Sequence, residues 1–177
     1  MMPPDALPST EAATQPAQHG FPPVWQADAR ILLLGSFPGT ASLKAHAYYA
    51  HPRNQFWPIL GALLGTPLPE MPYAERLDAL KHHRIALWDT VGHCRRQGSL
   101  DSQIRDATLN AFQPLLAQLP ELQLIGFNGQ RAAREQTIFR ALGYQTAVLP
   151  STSPAHASLR FAQKLAQWQA ALGPWLC

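Results

Sequence analysis

Short apolar segments alternate with amphipathic ones along most of the chain, and this alternation restricts the possible folds more than any other feature. Apolar segments at residues 30–34, 85–88, 122–125 and 144–149 have the length and composition of buried β-strands. Segments at about 55–64, 73–83, 108–119, 129–142 and 155–172 have helical character. Because strands that alternate with helices favour parallel crossovers, the sequence predicts an α/β three-layer sandwich. Its central, mostly parallel four-stranded sheet is flanked by helices.

The composition indicates a folded domain and excludes several other classes. Hydrophobic residues make up 46% of the 177 residues and charged residues 14%, which is enough apolar material for a core. Two cysteines are too few for a disulfide framework or a four-cysteine metal site. No apolar run approaches the roughly 20 residues that span a bilayer, and no secretory signal precedes Arg30, the first basic residue. We expect a cytoplasmic protein with no membrane association.

Residues 1–23 differ from the remainder of the chain. They are rich in Pro, Ala, Gln, Ser and Thr and contain little that a core could bury. The sequence therefore predicts a flexible leader over residues 1–23 and a single α/β domain over residues 24–177. We expect this domain to be a monomer. The net charge of +3 permits a polyanionic partner but does not require one.

The loop after the first predicted strand is long and chemically diverse. Residues 35–39 read Gly-Ser-Phe-Pro-Gly, and residues 48–57 read Tyr-Tyr-Ala-His-Pro-Arg-Asn-Gln-Phe-Trp. The glycines are not followed by Gly-Lys-Ser/Thr, so this is not a phosphate-binding P-loop. Glycine and proline let the backbone approach a ligand closely, although the same residues also suit a tight turn packed against aromatic side chains.

Polar residues also follow the other three predicted strands. Asp89 ends the second strand, where it fits either a turn or a carboxylate directed into a crevice. Asn128 precedes Gly129, a pair typical of a left-handed turn. Residues 150–158 combine small hydroxyls with a following helix, which suits either a phosphate site or an ordinary helix cap. Since ligands bind at the carboxyl ends of parallel strands, we expect the four loops to form one site. Histidines and cysteines lack the spacing of a zinc site.

Taken together, these loops resemble those of the uracil-DNA glycosylase superfamily, in particular its hypoxanthine (deoxyinosine) DNA glycosylase branch. The loops are next most similar to those of the mismatch-specific uracil/thymine glycosylases. The resemblance spans about residues 30–168 and is carried by residues 31–39, 48–57, 87–90 with 96–101, and 150–155. It implies an enzyme that flips a deaminated base out of double-stranded or single-stranded DNA. The enzyme then hydrolyses the N-glycosidic bond without a metal or another cofactor and leaves an abasic site.

The resemblance also implies which residues carry out the reaction. In the mismatch-specific relatives an asparagine of the first loop positions the attacking water, and Phe37 stands at that position here, next to Ser36. The substitute that the resemblance places in the same pocket is Asn54. The implied catalytic set is therefore Asn54, Ser36 and Phe37. An asparagine amide orients water but accepts a proton poorly, so we expect modest turnover.

Further residues are implied in base and DNA binding. Tyr49 would stack on the flipped base and Asp89 would read its edge, with Gly35 and Asn128 alongside. Hypoxanthine offers its N1–H as a donor, which an ionised Asp89 could accept. The last loop would grip the DNA backbone and place a wedge in the vacated stack; it comprises Ser151, Thr152, Ser153, Pro154, Ala155 and His156. Salt-dependent backbone binding is expected from Arg53, Arg95, Arg96 and Arg160.

Alternatives to excision of hypoxanthine, with uracil or xanthine as further substrates, remain open at this stage. One is a glycosylase that prefers uracil or thymine mismatches. A second, motivated by Phe37, is a nucleic-acid-binding module that has lost catalysis. A third is a hydrolase of free nucleosides, which would cleave deoxyinosine without DNA.

Overall fold

Seven β-strands lie within residues 16–176, the part of the chain that the computed structural model describes. They are β1 (Gln18–His19), β2 (Ile31–Gly35), β3 (Ile85–Asp89), β4 (Val91–Arg95), β5 (Arg105–Leu109), β6 (Leu124–Asn128) and β7 (Gln145–Leu149). Four of them form a parallel sheet in the order β3-β2-β6-β7. All four predicted strands are confirmed with small shifts of their ends.

Seven α-helices connect and cover these strands within the same residues. They are α1 (Thr40–Ala45), α2 (Phe56–Leu64), α3 (Tyr73–His82), α4 (Phe112–Ala117), α5 (Gln130–Ala133), α6 (Gln136–Ala141) and α7 (Phe161–Leu172). None of the described helices combines the length and apolar character needed to cross a membrane.

The parallel sheet is buried on both faces, as parallel sheets usually are. Side chains alternate along β2, so Ile31 and Leu33 join a core that includes residues of α2 and α7. Leu32 and Leu34 point to the other face, where they join a second core with residues of α4 and α6. Helices therefore cover both sides of the sheet, and the predicted three-layer α/β sandwich is confirmed.

Several elements differ from the sequence prediction, among them α1, which lies in a segment predicted as a loop. The predicted helix over 108–119 is shorter, because residues 105–109 form β5 and α4 begins at Phe112. The predicted helix over 129–142 is divided into α5 and α6, and the last helix begins at Phe161 instead of near residue 155. A second, antiparallel sheet in the order β1-β4-β5 was not predicted. Its strand β5 is exposed at every position, so it lacks the apolar alternation that indicates a strand.

The leader predicted over residues 1–23 also extends too far along the chain. Residues 1–15 lie outside the described residues, but residues 16–23 belong to the fold. Gln18 and His19 pair with β4, and the backbone N–H of Gly20 donates to the carbonyl of Gly92 at 2.9 Å. Nearby, the indole N–H of Trp88 donates to the carbonyl of Phe21 at 3.0 Å. This segment is held by backbone hydrogen bonds, which its Pro- and Gln-rich composition does not reveal.

Candidate active site

A cavity of about 750 Å³ opens at the carboxyl ends of the four parallel strands. The last residues of β2, β3, β6 and β7 all border it, as expected for a parallel sheet. Each residue that the sequence analysis assigned to catalysis, base binding or the DNA-gripping loop lies on its walls. These residues are Gly35, Ser36, Phe37, Tyr49, Asn54, Asp89, Asn128, Ser151, Thr152, Ser153, Pro154, Ala155 and His156.

Gly35 and Asp89 form the floor of the cavity, next to each other in neighbouring strands. A Cβ atom on Gly35 would lie 2.5 Å from Oδ1 of Asp89 and 2.7 Å from the hydroxyl oxygen of Tyr49. Real Cβ atoms do not approach so closely, so only glycine leaves room for the carboxylate and the phenol together. The missing side chain is what lets both polar groups reach the same end of the cavity.

The carboxyl group of Asp89 is almost completely buried, with 4% of the residue exposed. Its Oδ2 atom has no hydrogen-bond partner among the described residues. Burial raises the pKa of Asp89 to about 7, the negative charge of Asp101 adds to the increase, and the guanidinium of Arg96 opposes it. A buried carboxyl that lacks a donor is energetically costly in a protein that binds nothing there. The site is therefore suited to a ligand that brings an N–H donor.

Tyr49 presents an aromatic surface beside this carboxyl. Its ring stacks on Phe56 with the two centroids 4.0 Å apart and the planes 18° from parallel. Its backbone has a positive φ of 53°, which is uncommon for a residue other than glycine and directs the ring into this position. Burial and the nearby Asp89 raise the pKa of Tyr49, so its phenol remains protonated. Its oxygen accepts a hydrogen bond from Nδ2 of Asn128 at 3.3 Å.

Asn128 holds other parts of the site in place. Besides Tyr49, its Nδ2 donates to Oγ1 of Thr152 at 3.0 Å, and its Oδ1 accepts the backbone N–H of Thr152 at 3.0 Å. Both amide hydrogens are thus used inside the protein. Asn128 was predicted to bind the base, but this geometry makes it a positioning residue. Gly129 follows with a φ of 94° and a ψ of 169°, a conformation that favours glycine but is not the left-handed turn that the Asn-Gly pair predicted.

Asn54 lies between the first loop and α2. Its Oδ1 accepts the backbone N–H of Phe56 at 2.9 Å. Because only the oxygen of an amide can accept that bond, the orientation of the group is fixed and Nδ2 remains available to the cavity. Within the described residues Nδ2 makes no hydrogen bond. Asn54 therefore offers a donor that is held in a defined direction.

Ser36 and Phe37, both predicted as catalytic, have different environments. Ser36 donates from its hydroxyl to Oδ1 of Asp101 at 2.6 Å. The Phe37 side chain is buried with Val91, Cys94 and Ile104 and has no polar atom that could act on water. Its ring is a packing element of the cavity wall.

Arg96 does not have the exposure that DNA-backbone binding requires. It is 4% exposed, and its guanidinium lies 5.2 Å from the centroid of the Phe37 ring. It donates to the carbonyls of Gly98 and Pro38. Arg96 consequently connects the first loop to residues 96–101 inside the protein. Arg53, Arg95 and Arg160 remain exposed, as backbone binding requires.

The loop after β7 was expected to lead directly into a helix, but α7 begins only at Phe161. Its serine hydroxyls accept the loop's own N–H groups: Oγ of Ser151 from Ser153, and Oγ of Ser153 from Ala155. Thr152 is buried, so its side chain does not face DNA. The buried ammonium of Lys164 donates to the carbonyl of His156 at 2.7 Å and supports the loop from below. The exposed residues of the loop are Pro154, Ala155, Ala157, Ser158 and Arg160.

The sequence analysis did not assign functions to Ser99 and Asp101, which border the cavity next to the first loop. Oγ of Ser99 accepts the backbone N–H of Thr40 at 2.8 Å and donates to Thr40 Oγ1 at 2.9 Å. Both residues lie in the segment 96–101, which carried part of the resemblance. That resemblance was the sequence signal from which a role for them could have been inferred. Among residues 16–176, no group of three or more His, Cys, Asp or Glu side chains could hold a metal ion.

Comparisons of the sequence and the structure with known proteins agree with one another on the family. Residues 22–173 match the model of the uracil DNA glycosylase superfamily. The chain is 42% identical over 139 residues to the hypoxanthine DNA glycosylase of Methanosarcina barkeri, which covers 78% of this chain and 88% of that protein. It is 41% identical over 154 residues to the hypoxanthine DNA glycosylase of Methanosarcina acetivorans, covering 86% and 96% respectively.

A solved structure agrees with these sequence matches. The solution NMR structure of a candidate uracil DNA glycosylase from Methanosarcina acetivorans superposes with a TM-score of 0.79 and 40% identity. The match covers 87% of this chain and 95% of that one.

Proposed function

The chain belongs to the uracil DNA glycosylase superfamily, and from this membership we propose that it removes hypoxanthine from deoxyinosine in DNA. The resemblance noted from the four loops is confirmed, and the fold and the relatives make the protein a DNA glycosylase that acts on deaminated bases. The observation that carries the choice of base is the buried carboxyl of Asp89 beside the aromatic face of Tyr49. We further propose that the protein acts as a monomer.

The reaction needs a positioned water and stabilisation of the departing base. The bond between C1′ of the deoxyribose and N9 of hypoxanthine breaks, and its electron pair leaves with the base. Positive charge develops on the sugar, the water oxygen adds to C1′, and the proton that the water loses neutralises the hypoxanthine anion that left with the electron pair. Groups that orient the water and donate hydrogen bonds to the base therefore lower the barrier.

Asp89 is proposed to recognise the edge of the flipped base. Hypoxanthine carries a hydrogen on N1, and the ionised carboxyl accepts a hydrogen bond from this N1–H. The N1–H then satisfies a group that is otherwise buried without a donor. Uracil carries an equivalent imide N–H and is therefore a plausible second substrate. Selectivity against normal, well-paired bases also arises earlier, because a mispaired base is easier to extrude from the duplex.

Tyr49 is proposed to stack on the extruded base. Phe56 covers one face of its ring, and Tyr49 borders the cavity. Stacking of a base on an aromatic side chain contributes about 1–3 kcal/mol and depends little on the base. Tyr49 therefore supplies affinity, while Asp89 supplies the preference for an imide N–H.

Asn54 is proposed to orient the attacking water. A water that accepts a hydrogen bond from Nδ2 retains a second lone pair with which to attack C1′. The amide does not take the water's proton, so this arrangement supports slow hydrolysis rather than rapid turnover. The hydrogen bond from Phe56 N–H to Oδ1 keeps the donor in its direction.

The test is base release from duplex oligonucleotides that contain one inosine, uracil, xanthine or mismatched thymine, with alkaline strand cleavage as the readout. Wild-type protein should cleave at inosine, and Asn54→Ala should abolish this while DNA binding persists. Asn54→Asp serves as a matched variant, because it retains the oxygen that caps Phe56 but loses the Nδ2 donor. Asn54→Asp should remain folded, and because its carboxylate can accept the water's proton, lost activity would support orientation by Nδ2 whereas retained or faster excision would indicate that proton acceptance matters more.

The same experiment separates the alternatives. Preferred cleavage at uracil or mismatched thymine would indicate a mismatch-type glycosylase. Binding without any abasic product would indicate a catalytically inactive module, and cleavage of free deoxyinosine at a similar rate would indicate a nucleoside hydrolase.

A further inference from the structure

Lys164 places a buried positive charge beneath the loop after β7. The residue is 2% exposed, and its ammonium donates to the carbonyl of His156 at 2.7 Å. Within residues 16–176 no carboxylate forms an ion pair with it, and burial lowers its pKa. It is also the fourth residue of α7, near the positive end of the helix dipole, where a cation is disfavoured. The charge therefore costs the folded protein stability unless an anion comes close to it.

The peptide group that accepts this hydrogen bond presents a donor on its other side. The carbonyl of His156 points inward to Lys164, and in a trans peptide the N–H of the next residue, Ala157, points in the opposite direction. Ala157 is exposed, so its N–H faces the surface. The ammonium also polarises the peptide group, which strengthens this N–H as a donor.

Three consecutive N–H groups of this segment have no acceptor within residues 16–176. They belong to Ala157, Ser158 and Leu159, whereas the N–H groups of the residues directly before and after them are both bonded inside the protein. Successive N–H groups next to a positive charge are a typical arrangement for binding an anion. His156 and Leu159 line the cavity, so this segment adjoins the proposed base site.

We propose that residues 157–159 bind a phosphate of the DNA strand next to the flipped nucleotide, and that Lys164 strengthens this contact from beneath the loop. The inference rests on the proposed function and adds a binding site for the DNA backbone. A phosphodiester carries one negative charge on two oxygens, and these oxygens accept hydrogen bonds from backbone N–H groups. Salt screens a buried ammonium less than an exposed one. Lys164 does not touch the DNA, so it is a positioning residue.

A cycle of two changes, one in the protein and one in the DNA, tests this coupling. Lys164→Met removes the charge and retains the length of the side chain, and a methylphosphonate linkage removes the charge of one phosphate. The duplex carries 2′-fluorodeoxyinosine, whose N-glycosidic bond resists hydrolysis, and the uncharged linkage is moved through the positions that flank it. Fluorescence anisotropy at a fixed salt concentration gives Kd for each combination.

We expect one linkage position at which the uncharged group weakens wild-type binding about 10-fold, and Lys164→Met should weaken binding to the all-phosphate duplex by a similar factor. At that position the two losses should not add, because each change removes one partner of the same interaction. Lys81→Met is the matched control, since Lys81 lies in α3 before the start of β3 and outside the cavity, and it should leave Kd unchanged. Unchanged affinity in Lys164→Met, or losses that add at every position, would overturn the proposal.

Wild-type protein supplies a second measurement that does not depend on the folding of a variant. The amide NMR signals of Ala157 and Ser158 should shift when the all-phosphate duplex binds, and they should shift less with the uncharged linkage that weakens binding. Equal shifts with every duplex would contradict the phosphate contact. If the two losses are coupled as expected but the protein releases no base from a cleavable inosine duplex, the proposed glycosylase activity fails while the phosphate site stands.

Discussion

Asn128 and Thr152 hold each other through two hydrogen bonds of 3.0 Å, one to the backbone N–H of Thr152 and one to its hydroxyl. The carbonyl of Thr152 in turn accepts the backbone N–H of Gln55 at 3.0 Å. The end of β6, the loop after β7 and the start of α2 are thereby connected. Three walls of the cavity depend on this pair.

Replacement of Asn128 by alanine should therefore affect both stability and activity. The buried N–H of Thr152 would lose its acceptor, which typically costs about 1–3 kcal/mol. Asn128→Asp retains an oxygen for that N–H and should lose less stability. Urea unfolding gives the free energy of unfolding, and kcat/KM for inosine reports the site. An unchanged free energy of unfolding in Asn128→Ala would contradict the proposed role of the pair.

The fold was predictable because both faces of a parallel sheet must be buried, and strands such as β2 therefore appear as continuous apolar runs. The second sheet was not predictable, because β5 is exposed throughout and β1 is held by backbone pairing with β4. The site residues were predictable as a group, since strand ends converge. The individual roles of these residues were not predictable, because they depend on contacts that the sequence does not show. Both amide hydrogens of Asn128 are used inside the protein, and Arg96 is buried.

Gly35→Ala should abolish excision. The added Cβ would lie 2.5 Å from Oδ1 of Asp89 and 2.7 Å from the hydroxyl of Tyr49, so one of these groups must move. Gly39→Ala is a control in the same loop, because its Cβ would come no closer than 3.4 Å, to Oγ of Ser99. Excision assays on both variants, with circular dichroism to verify folding, make the comparison. Full activity in Gly35→Ala would show that the close approach has no role.

The titration of Asp89 should be visible in stability. Its pKa is about 7 in the folded protein and near the ordinary 3.8 in the unfolded chain, so the folded state alone holds the proton between these values. The stability of wild-type protein consequently falls, relative to Asp89→Asn, as pH rises from about 4 to about 7, and the difference then levels off. Urea unfolding at pH 5, 6, 7 and 8 measures this. A constant difference would contradict a raised pKa.

The pH dependence of excision activity should also report the ionisation of Asp89. If the ionised carboxyl accepts N1–H, kcat/KM of the wild type for inosine rises with pH through about 7, and Asp89→Asn lacks this rise. The same variant should change the ratio of hypoxanthine to uracil excision. An unaltered ratio together with an unaltered pH profile would remove Asp89 from base recognition.

Two truncations can locate the start of the fold. Deletion of residues 1–15 leaves every described contact in place, whereas deletion of residues 1–20 removes β1 and the hydrogen bond from Gly20 to Gly92. The longer deletion should lower the melting temperature more than the shorter one. Equal melting temperatures would mean that β1 does not stabilise the domain.

The arginines near the cavity should separate into two kinds in DNA binding. Arg53 is exposed and adjoins the cavity-lining Asn54, so Arg53→Gln should weaken binding and reduce the slope of log Kd against log salt by about 1. Arg96→Gln should instead lower the free energy of unfolding and leave the slope unchanged, because Arg96 is buried against Phe37. Arg84→Gln is the control for a lost surface charge, since Arg84 lies at the opposite end of the sheet and pairs with Asp28. Fluorescence anisotropy over a range of salt concentrations measures all three slopes, and a reduced slope for Arg96→Gln would place that guanidinium at the DNA after all.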